Sequence, residues 1–311
     1  MSNNKYKLLT KELQSIKDML RWTISQFNSS DIFYGHGTNN AIDEAKNLIL
    51  PTLFLPINTP EILLTSLITT EERLILTKRI IMRINKHIPV SYLTNKSWFC
   101  GHELYIDKRA LIPRSPIAEL INNNFKNIIK YKPKYILDMC TGSGCIAIAC
   151  AYKFPDAYID AVDISIDALN VAEINIKQHN LSDRIMLIQS NLFQNLSKSL
   201  KYDLIISNPP YVKKNCIMQL PTEYLTEPKI ALIGGEDGLK FIINILLYAS
   251  YFLKKNGSLI CEVGDNMSAI INKFKNINFN WLKFKYGGNG VFSLTYQQCC
   301  EIQKYLHYIN Q

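Results

Sequence analysis

A short proline-rich turn is the segment of this chain whose residue types best fit a chemical role. It reads Asn208-Pro209-Pro210-Tyr211 and directly follows an apolar run that ends at Ser207. Such a run predicts a buried strand, so the turn is expected at the carboxyl end of a strand, where open α/β sheets build their sites. Because neither proline has an N–H, the segment cannot extend a central β-ladder. A purely structural turn is the commoner role of adjacent prolines, and the turn alone does not exclude it.

The turn has the groups needed to hold a planar –NH2 group by both of its hydrogens. The side-chain oxygen of Asn208 and the adjacent carbonyl of Pro209 are acceptors, and the ring of Tyr211 can stack on a flat substrate. An –NH2 group conjugated to a carbonyl or a heteroaromatic ring is a poor nucleophile. Acceptors on both hydrogens favour pyramidalisation and expose the nitrogen lone pair. We therefore predict that Asn208, Pro209, Pro210 and Tyr211 form the catalytic site.

A glycine-rich turn upstream indicates a nucleoside-binding site. The predicted strand Tyr135–Asp138 runs into Gly142-Ser143-Gly144, a helix follows, and the next predicted strand ends at Asp163. The glycines allow a sharp turn and close approach of the backbone to a ligand. A carboxylate about twenty residues further on can accept hydrogen bonds from both ribose hydroxyls. Gly142 to Ala147 also fits the dinucleotide pattern G-x-G-x-x-A, so this loop alone leaves a nicotinamide cofactor open.

The remaining polar positions favour S-adenosylmethionine over a dinucleotide. Asp138 can hold either the loop or the ammonium group of a methionine moiety, and Asn191, after the third predicted strand, can read an adenine. A hydride-transfer enzyme has no evident use for an Asn-Pro-Pro-Tyr turn across the switch point of the sheet. The predicted cofactor-binding residues are Asp138, Thr141, Gly142, Ser143, Gly144, Asp163, Asn191 and Leu192.

The composition sets bounds on the class of protein. The chain has 311 residues, of which 47% are hydrophobic, enough for one large or two ordinary domains. No apolar stretch of about 18 residues predicts a transmembrane helix, and the amino terminus lacks a signal-peptide pattern. The eight cysteines form no CxxC pair, and the five histidines are scattered, so no metal site is predicted. These features predict a reduced, cytoplasmic protein.

The basic balance of the chain does not by itself predict a nucleic-acid site. The net charge is +9, from 35 basic and 26 acidic residues, which is compatible with RNA-rich surroundings. The lysines are spread along the whole chain, however, and groups such as Lys213-Lys214 are only pairs rather than a basic cluster. A diffusely solvated basic surface is therefore the favoured interpretation.

The periodicity of apolar residues predicts three parts. Residues 1–90 form a small helical domain, 91–115 a β-hairpin linker around Gly101-His102, and 116–311 an α/β domain. The α/β domain is expected to be a doubly wound, Rossmann-like parallel sheet that ends in an antiparallel C-terminal hairpin.

Several helices are predicted with definite faces or bounds. A first helix presents one face from Leu9 to Phe27, and a helix at Glu71–Lys86 presents a stripe through Leu74, Ile81 and Ile84. A shorter helix begins at Asp43 and closes at Pro51. The α/β domain is predicted to begin with a helix from Ile117 to about Ile129.

The two motifs together resemble a known group of enzymes. Asp138 to Gly144, with Asn208 to Tyr211, resembles the S-adenosylmethionine-dependent class I methyltransferases of amino and amide nitrogens. Within that group, Glu227-Pro228 and Gly234 to Gly238 look like the branch that methylates glutamine amides. Ile88 to Leu93 continues this resemblance upstream, so it covers nearly the whole chain.

Further segments resemble the glutamine methyltransferases of the third large-subunit ribosomal protein. These are Asp18 to Trp22, Tyr34 to Thr38, Thr94 to Glu103 and Pro113 to Ile117. The related release-factor enzymes typically carry an acidic residue after Pro-Arg-Pro, where this chain reads Ser115-Pro116-Ile117. The resemblance implies methylation of a glutamine side chain on that ribosomal protein, either free or in an assembling ribosomal particle. It also implies a substrate-recognition role for residues 1–90.

Two rivals and two residues stay open at this point. A release-factor glutamine methyltransferase is an alternative within the same branch. The two rivals outside it are a nucleic-acid adenine methyltransferase, for which no base-reading domain or basic groove is evident, and a non-enzymatic assembly factor bound to ribosomal proteins, against which the intact glycine-rich turn and Asn-Pro-Pro-Tyr turn argue. The family usually has Asp where this chain has Asn191, an uncharged acceptor. Glu262, at the end of the predicted strand Leu259–Val263, is a candidate for the rim of the site or for a partner of a helix terminus.

Overall fold

The computed structural model of this chain describes residues 12–275, 277–285 and 287–309, and these residues form two compact units. The helical unit takes in the described residues up to Ser97, together with Ile106–Lys108 and Pro221–Thr226. The sheet unit comprises Trp98–Tyr105, Arg109–Leu220 and the described residues from Glu227 onward. A short segment from the second half of the chain therefore belongs to the helical unit.

The helical unit is built from amphipathic helices around one apolar core. Its helices are α1 (Ile16–Asn28), α2 (Ala41–Thr52), α3 (Glu61–Leu64), α4 (Thr70–Lys86) and α5 (Val90–Thr94). Capping boxes begin two of them, because Ser15 exchanges hydrogen bonds with Asp18 at α1 and Thr69 does so with Glu72 at α4. Met19, Leu48 and Ile80 are among the residues of the core.

The predicted bounds of the first two helices need correction. Helix α1 begins at Ile16, where the capping box fixes its start, so Leu13 is buried ahead of the helix rather than on its face. Leu9 lies outside the described residues. Helix α2 begins at Ala41 instead of Asp43, because the side chain of Asn40 accepts a hydrogen bond from the Asp43 amide and caps the helix.

The predicted face of α4 is wrong at Leu74, whereas Ile84 is partly buried against the core. Leu74 is 52% exposed, and the residues that α4 buries are Leu76, Thr77, Ile80 and Arg83. The apolar stripe misled the prediction because the buried face includes a guanidinium group. Arg83 donates to carboxylate oxygens of Glu44 at 2.7 Å and Glu223 at 2.8 Å, and to the carbonyl of Phe33 at 2.8 Å. Charge compensation makes this burial tolerable.

A short hairpin and a short helix lead toward the main sheet. The hairpin strands β1 (Lys96–Phe99) and β2 (His102–Tyr105) turn at Cys100-Gly101, one residue before the predicted Gly101-His102 turn, because His102 already belongs to β2. Helix α6 covers Ile117–Asn122 and does not continue to Ile129. Asn124, Phe125 and Asn127 adopt positive φ angles of 54°, 49° and 68°, which ends regular helix in this stretch.

The described residues of the sheet unit contain one seven-stranded mixed sheet, with the order β5-β4-β3-β6-β7-β9-β8. Its strands are β3 (Tyr135–Met139), β4 (Tyr158–Asp163), β5 (Ile185–Gln189), β6 (Tyr202–Ser207), β7 (Leu253–Glu262), β8 (Asn280–Trp281) and β9 (Val291–Thr295). β3 to β7 are parallel, and β9 pairs antiparallel with both β7 and β8. The doubly wound sheet with an antiparallel C-terminal hairpin is thus confirmed.

Helices cover both faces of this sheet. They are α7 (Cys145–Lys153), α8 (Ile166–Gln178), α9 (Lys240–Phe252), α10 (Met267–Lys273) and α11 (Tyr296–Ile309). Alternate residues of β3 point to opposite layers: Leu137 packs in the cluster that contains α9 and α11, and Ile136 packs in the cluster that contains α7.

The strand order places a switch point between β3 and β6. From β3 the chain proceeds outward through β4 and β5, then returns to pair β6 on the other side of β3, with Met139 opposite Ser207. Connections diverge there, which leaves a crevice beyond the carboxyl ends of the two strands. Of the described helices, none is long and apolar enough to cross a membrane.

Candidate active site

The sheet unit contains a cavity at the switch point. Six of the predicted site residues line it: Gly142, Asp163, Asn191, Leu192, Asn208 and Pro210. They come from the ends of β3, β4, β5 and β6, because parallel strands bring their carboxyl ends to one edge.

Asn208 is placed by the last residue of β6. Ser207 is fully buried, and its hydroxyl donates to the carbonyl of Met139 at 2.8 Å, which ties the end of β6 to the end of β3. The half-buried side chain of Asn208 follows and lines the cavity. Within the described part of the chain, no residue forms a hydrogen bond with this side-chain amide, so its acceptor and donor groups can serve a ligand.

The glycine-rich turn presents backbone to the same cavity. Gly142 has a φ of +56°, and a Cβ built on it would meet nothing within 4 Å. Gly144 has a φ of +80°, and its Cβ would lie 3.2 Å from that of Ala172, so this position packs the turn against α8. Gly142 therefore leaves open space beside the backbone, whereas Gly144 allows close packing against α8.

Asp138 is buried behind the turn and does not line the cavity. Its Oδ2 accepts from the hydroxyl of Thr141 at 2.5 Å and from the amide of Ala147 at 3.1 Å, so it holds the loop and the start of α7. Its Oδ1 is buried and has no hydrogen-bond partner among the described residues. Burial raises the pKa of Asp138 to about 7, although both hydrogen bonds oppose the shift.

Asp163 lines the cavity, and backbone amides orient its carboxylate. Oδ2 accepts from the Gly142 amide at 2.9 Å, and Oδ1 accepts from the Ser165 amide at 2.9 Å. Burial raises the pKa of this group, and the backbone amides oppose the rise. Each oxygen keeps a lone pair for a further donor.

Two cavity residues hold the backbone in a conformation that favours glycine. Cys140 follows β3 with a φ of +64°, and Leu192 follows β5 with a φ of +52°. Such a conformation costs about 1–2 kcal/mol for a residue with a side chain. Residues held in this way cluster at functional sites, because the surrounding fold must enforce them.

The other predicted site residues are not part of the cavity lining. Pro209 is buried, and Tyr211 is half-buried with its hydroxyl donating to Glu262 at 2.9 Å. Thr141 and Ser143 are buried within the glycine-rich turn, where the Ser143 carbonyl accepts from Asn175 at 2.9 Å. Thr141 and Ser143, like Asp138 and Gly144, are in position to support the lining rather than to form it.

Comparison with known proteins identifies the family. The family described as Methyltransferase small domain matches residues 118–244. The ribosomal protein uL3 glutamine methyltransferase of Francisella tularensis subsp. tularensis is 44% identical over 96% of this chain and 95% of its own length. That of Neisseria meningitidis serogroup A is 45% identical over 92% of this chain and 95% of its own length. This chain belongs to the uL3 glutamine methyltransferase family. The family resemblance inferred from the sequence is thereby confirmed.

Solved structures of methyltransferases share the fold of this chain. The hMettl16 catalytic domain in complex with MAT2A 3'UTR hairpin 1 matches with a TM-score of 0.53, at 16% identity, over 89% of this chain and 91% of that chain. Its complex with hairpin 6 matches with a TM-score of 0.51, at 16% identity, over 72% of this chain and 81% of that chain. At such low identity the likeness concerns the fold alone.

One wall of the cavity is formed by residues that are not among the predicted site residues. Arg109, Ala110, Leu111, Pro228, Ile230, Ala231 and Phe241 line it. Two of these segments are tied together by Glu227, which accepts from both ends of the Arg114 guanidinium at 2.6 Å and from the Ile112 amide at 3.0 Å. A partner 113 residues away gives no local signal, although the Glu227-Pro228 motif marked one side of the pair.

Proposed function

We propose that this chain transfers a methyl group from S-adenosylmethionine to the side-chain amide nitrogen of a glutamine in ribosomal protein uL3. The observation that carries the proposal is the convergence of Asn208, Gly142 and Asp163 on one cavity at the switch point of the sheet. Two curated relatives of nearly equal length bear the name of that activity. A ribosomal substrate also favours the cytoplasmic location predicted from the sequence.

The residues around the glycine-rich turn fit S-adenosylmethionine. Asp163 offers two oriented oxygens to ribose hydroxyls, and Gly142 leaves open space beside the backbone. The unpartnered Oδ1 of Asp138 adds a buried negative field that favours a cationic ligand. When bound, this cofactor supplies an electrophilic methyl group on a sulfonium.

The Asn-Pro-Pro-Tyr turn would act on the glutamine amide by orienting it. The Asn208 side-chain oxygen accepts one amide hydrogen, the Pro209 carbonyl accepts the other, and the Tyr211 ring packs on the amide plane. Fixed acceptors at this turn favour the positive charge that develops on the nitrogen. Alignment supplies much of the remaining acceleration. No general base is required, since the nitrogen proton becomes far more acidic after transfer and can then leave.

We expect the affinity for S-adenosylmethionine to rise with pH and to level off above about pH 7. The pKa of Asp138 is about 7 without ligand, and a cationic ligand lowers it, so the bound form holds fewer protons. Affinity should therefore fall by up to about tenfold per pH unit below that value. Calorimetric titration between pH 5.5 and 7.5 measures this, and the Asp138→Asn variant should flatten the profile. A wild-type affinity independent of pH would contradict the role of Asp138.

The Asn191→Asp variant is expected to bind S-adenosylmethionine about threefold to tenfold more tightly. Asn191 is exposed at the cavity edge and can accept a hydrogen bond from the adenine amine. A charged acceptor forms a stronger hydrogen bond than a neutral one, and partial exposure limits the gain. Equilibrium dialysis with labelled cofactor measures the affinity. Asn170→Asp is the matched control, because Asn170 is exposed on α8 and is not part of the cavity lining, and it should change little.

The helical unit is proposed to select the protein substrate. It exposes large apolar side chains on the surface, with Phe54 at 92%, Ile62 at 77% and Leu67 at 74% exposure. A monomer gains nothing from such exposure, whereas a docking surface uses it. Whether the substrate is free uL3 or an assembling particle is decided by presenting both.

One assay tests the proposed function against its rivals. Isolated uL3, peptide release factor and free nucleic acid are each incubated with the chain and labelled S-adenosylmethionine. We expect label on uL3, and mass spectrometry should locate it on a glutamine side chain. Label on the release factor or on adenine would replace the proposed substrate, and absence of transfer to all three would overturn the assignment.

A further inference from the structure

Glu262 at the end of β7 forms a buried link between two distant segments. Its side chain is 5% exposed, and its two oxygens face different hydroxyl groups. Oε1 accepts from Tyr211 at 2.9 Å, and Oε2 accepts from Ser115 at 2.5 Å. Burial raises the pKa of Glu262, which the two hydroxyls and the charge of Arg114 oppose. Burying a carboxylate lowers stability unless partners compensate it, so a stabilising role alone does not account for Glu262 at this position.

Tyr211 is held on several sides, which leaves its ring little freedom. A Cβ built on Gly264, whose φ is +52°, would lie 2.5 Å from a ring carbon of Tyr211. The Asn266 side chain donates to the Tyr211 carbonyl at 2.7 Å. Glycine at 264 thus makes room for the ring, while Glu262 fixes the hydroxyl at its far end.

Ser115 connects the same carboxylate to another segment of the sheet unit. Its hydroxyl donates to Glu262 and accepts from the Ile117 amide at 3.2 Å, at the start of α6. The preceding Arg114 forks onto Glu227, one residue before cavity-lining Pro228. Ser115 is therefore connected to the Asn-Pro-Pro-Tyr turn through the carboxylate of Glu262.

We propose that Glu262 is a positioning residue for methyl transfer, acting through the Tyr211 hydroxyl to fix the Asn-Pro-Pro-Tyr turn, with Ser115 setting the orientation of the carboxylate. The inference rests on the proposed function. Glu262 lies outside the cavity lining and is not required to touch the substrate. Its effect is on the angle of the Tyr211 ring, and hence on the amide plane that packs against it.

The test compares Glu262→Gln, Tyr211→Phe and the double variant on uL3. Because hydrogen bonds to charged groups are stronger than neutral ones, we expect each single variant to lower kcat about tenfold or more. Cofactor Kd should stay near the wild-type value. The lost hydrogen bond will lower the midpoint of thermal unfolding, so kcat is measured well below the midpoint of each variant. The double variant should be no slower than the slower single variant, since both changes act through one ring. A merely structural role would lower the unfolding midpoint and leave kcat unchanged.

A second pair of variants keeps the test informative if Glu262→Gln folds poorly. Ser115→Ala removes one donor to the carboxylate and should lower kcat about threefold to tenfold. Ser258→Ala is the matched control, because Ser258 lies on the same strand, is buried and donates to Ile128 instead. It should leave kcat unchanged.

The outcomes separate the inference from the function on which it rests. An inactive wild-type chain overturns the proposed function and the inference with it. An active wild type with undiminished kcat in Glu262→Gln and Ser115→Ala overturns the inference alone. Independent, multiplicative losses in the double variant would also overturn it, because they would show that Glu262 does not act through Tyr211.

Discussion

The Asn208→Ala variant is expected to lose about 100-fold to 1,000-fold in kcat while it binds S-adenosylmethionine as tightly as the wild type does. The side-chain oxygen is the acceptor that strengthens as charge develops on the amide nitrogen, so its loss falls on the transition state rather than on the cofactor complex. Nothing in the described contacts of Asn208 supports the glycine-rich turn. Single-turnover kinetics with saturating uL3, beside equilibrium binding of the cofactor, measures the two quantities separately.

A neighbouring asparagine provides the control for that experiment. Asn215 lies seven residues further along the chain and is exposed, and its oxygen faces the thiol of Cys216. Asn215→Ala should retain wild-type kcat. If Asn208→Ala weakened cofactor binding as much as it slowed transfer, Asn208 would belong to the cofactor site and the proposed role in orienting the amide would be wrong.

The Arg83→Ala variant is expected to destabilise the helical unit by about 3–5 kcal/mol. Arg83 is 1% exposed and compensates Glu44 and Glu223, which are 4% and 1% exposed. Without the guanidinium, two carboxylates would remain buried near each other. Chemical denaturation followed by Trp22 fluorescence, with Trp98 and Trp281 replaced by Phe, reports on this unit.

Two further variants show whether the charge is responsible. Arg79→Ala removes a half-buried arginine of the same helix with a single hydrogen bond to Thr52, and should cost about 1 kcal/mol or less. Replacing Glu44 and Glu223 by Gln in the Arg83→Met background should recover part of the loss, since no unpaired charge remains. Equal losses in Arg79→Ala and Arg83→Ala would show that packing, not charge, dominates.

The same network predicts how acid affects the helical unit. Burial tends to raise the pKa of Glu223, but the hydrogen bond from Arg83 and those from the Phe33 amide and His87 bring it below its usual value. A depressed pKa contributes stability above the unfolded value of about 4.5 that is lost as pH falls through the folded value. The difference in stability between wild type and Arg83→Ala should therefore shrink in acid.

Local patterns were sufficient to predict which strand-end residues would come together around one cavity. The glycine-rich turn, Asp163 and Asn208 each follow an apolar run, and parallel strands bring the ends of such runs to one edge of a sheet. The order of the strands then places the first and fourth of them side by side. For this reason a linear sequence indicated the cavity, including Asn191 and Leu192, before any contact was known.

The bounds and buried faces of the helices were predicted less accurately from the sequence, because capping and charge compensation decide them. The stripe predicted through Leu74 would suit a helix whose buried face is wholly apolar. The buried face of α4 includes Arg83, and burial of this charge is favourable only because two acidic partners from other segments compensate it. Helix α6 ends at Asn122 although the apolar spacing continues, because the following residues turn to positive φ.

The sequence by itself determined the family, the order of strands and helices, and the side chains at the carboxyl edge of the sheet, since each of these depends on residues close together in the chain. The tertiary structure alone decided the partners of the buried charges. Glu223 reaches Arg83 across 140 residues, and Glu262 reaches Ser115 across 147. Burying a charged group is tolerable only where its partners converge, and that convergence depends on the packing of the whole chain rather than on any local pattern.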